Sequence, residues 1–136
     1  VGLVAPKIRK DLNIPEATQT AAKRNLTAAL STLDKGMLAN HRYLVGDTVS
    51  LADLAAYVEL GQLQPQFTHV FDMSSFPNVS RWLKDMTEVD GHDDVHVVLT
   101  EIGDISVEAP TMDMIKNANK KALSVLKRRL EGMGKD

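Results

Sequence analysis

The sequence predicts an all-α protein, a bundle of five to six helices, on three observations. A helix start is written out at Ser50 to Asp53, apolar residues recur at three- and four-residue spacing along several segments, and only His96 to Thr100 can pass for a strand. A lone strand has nothing to pair with, so that stretch is read as helix as well. At 136 residues the chain has the size of one domain, residues 1–136, which at that length buries roughly two-thirds of its unfolded surface.

Pro6 suits the first turn of a helix running to about Asn13, where its missing N–H costs nothing. Pro15 closes that segment and opens a second helix, predicted to reach about Asn40. Its stripe is Ala22, Leu26, Ala29, Leu30, Leu33, Met37 and Leu38, and Gly36 weakens its last turns modestly. The third helix, Leu51 to about Gln64, has the most explicit start. Ser50 accepts from the N–H of Asp53 while the Asp53 carboxylate reaches back to the N–H of Ser50, a capping box that also puts negative charge at the positive end of the helix dipole. Val49 and Leu54 flank the cap as a hydrophobic staple.

This third helix is apolar on most sides. Leu51, Leu54, Ala55, Val58 and Leu63 are its inward candidates, which places it in the middle of a bundle. Pro65 terminates it. In the next helix Val79, Trp82, Leu83 and Met86 share the buried face by spacing alone. A further helix is predicted to begin near Asp90 or Gly91. After Ala109-Pro110, Thr111 with Asp113 caps a last helix through Arg129, with Ile115, Ala118, Ala122, Val125, Leu126 and Leu130 as its apolar stripe.

Box and staple, preceded by Gly46-Asp47 and followed by Leu51-Ala52-Asp53, resemble the sixth-helix signature of the glutathione transferase C-terminal domain. Phe76-Pro77-Asn78-Val79-Ser80-Arg81-Trp82-Leu83 is similar to that family's aromatic-Pro-Asn segment, in which Pro sits in the first turn and Trp packs inward. Glu59-Leu60-Gly61-Gln62 with Gln64-Pro65 is similar to the theta-like branch. The specific likeness covers about residues 43 to 88. The C-terminal-domain likeness as a whole extends over about residues 1–100, with a helical extension over about 108–131.

The resemblance implies a helical domain that supplies the hydrophobic co-substrate pocket and packs against a glutathione-binding, thioredoxin-like domain. No part of this chain reads as that domain, which carries the family's catalytic Ser, Tyr or Cys. Hence no catalytic residue and no cofactor are assigned here, glutathione is a co-substrate only with the other domain present, and the chain alone is expected to be inactive. Pocket candidates by helical position are Val4, Lys7, Ile8 and Asp11. The resemblance also allows a homodimer. The rival expectation is a non-catalytic protein interaction module, like the related domains of the elongation factor 1 gamma subunit and of some aminoacyl-tRNA synthetase assemblies.

Composition narrows the classes further. With no cysteine there is no disulfide framework, thiolate metal site or thiol nucleophile, and a reducing compartment, the cytoplasm, is expected. No apolar run approaches the roughly 20 residues that span a bilayer, and no secretory signal is evident, so no membrane partner is expected. The beginning VGLVAPK has no initiator Met, which fits processing and excision equally.

Two clusters invite site hypotheses. His92 and His96 stand at i and i+4, a spacing that can chelate zinc, but Asp93 stands where a metalloprotease motif has Glu and no third ligand is obvious. A capped, solvated helix start is the expected reading, and no metal is assigned. Charge is also segregated: nine acidic residues and no Lys or Arg lie between Asp85 and Ile115, then six basic residues and no acid between Lys116 and Arg129. Lys116, Lys120, Lys127, Arg128 and Arg129 form an anion or partner surface, or complement their own helix dipole, or fold back on the acidic segment. Without an aromatic platform or a strongly basic balance, nucleic acid is not the expected partner.

Overall fold

A computed structural model describes residues 13–64, 68–105 and 107–133. Among them are six α-helices and no strand: α1 (Glu16–Thr32), α2 (Leu51–Leu60), α3 (Pro77–Thr87), α4 (His92–Val95), α5 (Val97–Ile102) and α6 (Met112–Met133). The predicted first helix, with Pro6 and the pocket candidates Val4, Lys7, Ile8 and Asp11, lies outside the described residues, as does Pro65.

Helix α1 starts at Pro15 as the sequence predicts but does not run on as α-helix to Asn40. It changes at Leu33–Met37 into one π-helical turn, closed by Leu38 N–H donating to the Leu33 carbonyl at 2.9 Å. The extra residue in that turn shifts the facing of the residues after it. Leu30 and Leu38 are buried and Leu26 and Leu33 pack beside the core, whereas Ala29 and Met37 of the expected stripe face outward. Asp34 takes the inward place. Its carboxylate accepts from the backbone N–H groups of Asn78 (2.8 Å) and Val79 (3.0 Å), so the π turn caps the start of α3. Arg81, one turn into α3, returns the favour by donating to the carbonyls of Leu38, His41 and Arg42 at 2.9–3.1 Å.

The core is built by α3 and α2. Val79, Trp82, Leu83 and Met86 are buried as their spacing predicts, and Leu30, Leu38, Tyr43, Tyr57, Met73 and Phe76 close around them. On α2 the inward set differs from the expected one. Asp53 and Tyr57 are buried and Ala56 and Leu60 half-buried, while Leu51 is 80% and Val58 70% exposed, with Leu54 and Ala55 on the same outer side. The reason is the cap: four donors from three residues, Leu44, Ser50 and Trp82, converge on the Asp53 carboxylate and turn its side of the helix inward. Leu63 is buried as predicted. Among the described residues α2 thus has one covered face rather than a central place. Its α-helical part stops at Leu60, four residues before the predicted end, and continues as a 3-10 turn over Gly61–Leu63.

The predicted helix from Asp90 is broken at His96 (φ −100°, ψ 9°) into the short α4 and α5. Thr111 caps α6, its hydroxyl accepting from Met114 N–H at 3.2 Å, whereas the Asp113 side chain is exposed and pairs with Lys116. Helix α6 runs to Met133, past the predicted end at Arg129. Ile115, Ala118, Ala122, Val125 and Leu126 face the bundle as predicted, but Leu130 is exposed and Arg129 holds the last inward position.

Candidate functional site

The capping box forms in both directions at Ser50 and Asp53. Its carboxylate does more than cap. Oδ2 accepts from Ser50 N–H (2.9 Å) and the Ser50 hydroxyl (2.6 Å), and Oδ1 from Leu44 N–H (2.8 Å) and the indole N–H of Trp82 (2.9 Å). Burial pushes this carboxyl up, and the hydrogen bonds from Ser50, Leu44 and Trp82 together outweigh that and hold it below its ordinary value. The group is a structural hub, fully enclosed and with no reach toward solvent. Val49 and Leu54, the expected staple pair, are both exposed at the surface beside it.

A second polar chain starts one turn further along α2. Gln64 Nε2 donates to the Tyr57 hydroxyl at 2.7 Å, and that hydroxyl lies 2.8 Å from His92 Nε2. The other ring nitrogen of His92 is 2.9 Å from the Asp93 carboxylate, which only accepts, so Nδ1 carries the proton and Nε2 accepts from Tyr57. An Asp–His–Tyr order resembles a nucleophile-activating relay in outline. Its chemistry points the other way: burial raises Tyr57 above the ordinary phenol value, with Gln64 offsetting part of the effect. Tyr57 is a buried donor, not an activated nucleophile.

His96 stacks on His92 with ring centroids 4.2 Å apart, and its Nδ1 donates to the His92 carbonyl at 2.7 Å. The i, i+4 pair therefore shares a helical side as expected, but both Nδ1 atoms and His92 Nε2 are already in use. Among the described residues no group of three or more His, Asp or Glu converges to hold a metal ion.

These rings border a cavity of about 270 Å³ between α2, α3, α4 and α6, walled by Leu54, Met86, Val89 and Val95 besides Tyr57 and His96. Arg129 closes one side. Its guanidinium donates to Asp94 at 2.6 Å and to Asp90, and these two acids hold it firmly protonated. Between them Gly91 has a φ of 83°, where a side chain is strained, and an added Cβ would lie 3.3 Å from the guanidinium carbon. Lys121 pairs with Glu101 at 2.5 Å. So part of the basic segment folds back on the acidic one, while Lys120, Lys127 and Arg128 remain exposed without an ion pair among the described residues.

Sequence reasoning missed Tyr57 as the partner of His92, and Gln64 as the donor behind it. Tyr57 lies seven residues after Ser50 on the side that Asp53 turns inward, a signal that the spacing carried once the cap was taken as the inward mark. The contact between residues 57 and 92 had no local signal.

The helical fold and the Asp53–Trp82 junction define a small all-α domain. The family model described as "Glutathione S-transferase, C-terminal domain" matches residues 2–90, and the chain belongs to that family. Neither the curated proteins nor the solved structures give a match. Among the described residues no helix is long and apolar enough to cross a membrane.

Proposed function

We propose that this chain is the C-terminal helical domain of a theta-like glutathione transferase, seated through the outer face of α2 on the thioredoxin-like domain that binds glutathione. The observation that carries the reading is that face itself. Leu51, Leu54, Ala55 and Val58 stand at i, i+3, i+4 and i+7, the spacing of a buried stripe, yet lie at the surface of α2 opposite the buried Asp53 and Tyr57. An apolar stripe of this kind marks a surface that a partner covers. The theta-like assignment rests on Glu59-Leu60-Gly61-Gln62 and Gln64-Pro65.

In such an enzyme this domain contributes the hydrophobic co-substrate pocket, with Val4, Lys7, Ile8 and Asp11 as its candidates on the preceding segment, and the other domain supplies glutathione and the activated thiol. The cytoplasm is the compartment that fits. Sequencing the transcript upstream of the codon for Val1 tests the reading: a frame encoding a thioredoxin-like domain is the expected result, and a start codon there overturns it. Titration calorimetry checks the division of labour, since the chain alone should bind S-hexylglutathione through its alkyl part at most and free glutathione not at all.

A second reading, a non-catalytic interaction module like that of the elongation factor 1 gamma subunit, is favoured by the uncovered Lys120, Lys127 and Arg128 on α6. Retention of a protein partner by the wild-type chain but not by a Lys120→Glu/Lys127→Glu variant would support it.

A further inference from the structure

We propose that the cavity between α2, α3, α4 and α6 binds a small, neutral aromatic molecule that carries a hydrogen-bond donor. The assignment shares Leu54 with the docking face but rests on no glutathione chemistry. Each property of the ligand comes from one property of the wall.

The ligand is small because the space is about 270 Å³, just under the roughly 300–1,000 Å³ of sites that take drug-sized molecules. One or two fused rings fill it. It is aromatic because the wall mixes aliphatic Leu54, Val89 and Val95 with the Met86 thioether and the rings of Tyr57 and His96. Thioethers and ring edges make favourable contacts with an aromatic guest. Tyr57 already meets the two imidazoles edge to face, at centroid distances of 5.5 Å and 5.4 Å.

The ligand is neutral because the one charged side chain reaching the cavity from α6, Arg129, is matched by Asp90 and Asp94. An anion would sit beside two carboxylates, and a cation beside a guanidinium. It carries a donor because of the tautomers. His92 has both nitrogens engaged, and the Tyr57 hydroxyl donates to His92 and accepts from Gln64. His96 gives its Nδ1 proton to the His92 carbonyl, and in the tautomer that this bond selects Nε2 is a lone-pair acceptor with no partner among the described residues. A hydroxyl or N–H on the guest satisfies it.

The test uses the whole chain and three probes of one size: 1-naphthol, 1-methoxynaphthalene and 1-naphthoate, titrated by fluorescence at neutral pH. Saturable binding of 1-naphthol at one site is expected, with 1-methoxynaphthalene about tenfold weaker for want of the donor and 1-naphthoate weaker still. In His96→Phe the naphthol and the methyl ether should bind within about twofold of each other. Leu54→Trp, a change at an exposed position on the cavity rim, should weaken both without altering the fold by circular dichroism. Absence of saturable naphthol binding, equal affinity for naphthol and its methyl ether in the unaltered protein, or binding indifferent to Leu54→Trp would each overturn the proposal, whether or not His96→Phe folds.

Discussion

The two polar networks that meet α2 from opposite ends are built on different terms. At its N-terminus Asp53 is fully enclosed and every donor around it converges on one carboxylate. From Tyr57, in its last turn, the Tyr57–His92–Asp93 chain runs outward, as does the Arg129 clamp, and the Asp93 and Asp90 side chains that end them are almost entirely exposed. An enclosed network cannot borrow water when a member is lost, whereas an outward one can. The first therefore holds the fold, and the second leaves room for a guest.

Breaking the enclosed end should have the largest effect. Asp53→Ala strands the indole N–H of Trp82 and the backbone N–H groups of Leu44 and Ser50, so at about 1–3 kcal/mol for each unsatisfied donor a loss of about 3–5 kcal/mol is expected in urea unfolding, a large fraction of the roughly 5–15 kcal/mol that holds an ordinary domain. Conversely, equal stability of Asp53→Ala and the unaltered chain would show that the hub does not hold the fold. The same carboxylate sets a pH dependence. Its folded value lies below its unfolded one, so the unfolded state binds more protons in that window and the contribution is present above the unfolded value of about 3.9. It is lost as pH falls through the lower folded value. Asp53→Asn should flatten that part of the stability profile.

Next comes Asp34→Ala, which uncaps the start of α3 at Asn78 and Val79 and should cost about 1–2 kcal/mol by the same measurement. Tyr57→Phe keeps the ring and removes the hydroxyl between Gln64 and His92, with an expected loss of about 1 kcal/mol. Its signature is a changed His92 imidazole resonance, since Nε2 then loses its donor. Arg129→Gln should be the mildest. The pairs with Asp90 and Asp94 lie at the surface, so the urea midpoint should move little, and that small shift should vanish at high salt. A large, salt-independent loss would place the clamp with the enclosed network instead.

The difference between these networks also sets how far each was legible in the sequence. Ser50 and Asp53 are three residues apart, and the reciprocal bonds between them are a local matter, readable without any partner. The buried face of α3 was equally plain, because Val79, Trp82, Leu83 and Met86 keep helical spacing through one uninterrupted helix. On α1 the spacing failed at Met37, where a π-helical turn changes the number of residues per turn and no residue type announces it; Ala29, which precedes that turn, faces outward from regular helix. On α2 it failed because both sides are apolar. Leu51 and Val58 look as inward as Tyr57 until the carboxylate of Asp53 fixes the rotation.

The sequence by itself therefore determined that the chain is helical, the cap that starts α2 and the buried face of α3, all of which depend on neighbours within about one or two turns. Tertiary structure alone decided which side of α2 is covered, that Trp82 and Leu44 share the Asp53 carboxylate, and that Arg129 meets Asp90 and Asp94 while His92 meets Tyr57. Those contacts join residues 29 to 39 positions apart, or nine in the case of Leu44. Their geometry depends on how the helices pack, and no local spacing encodes it.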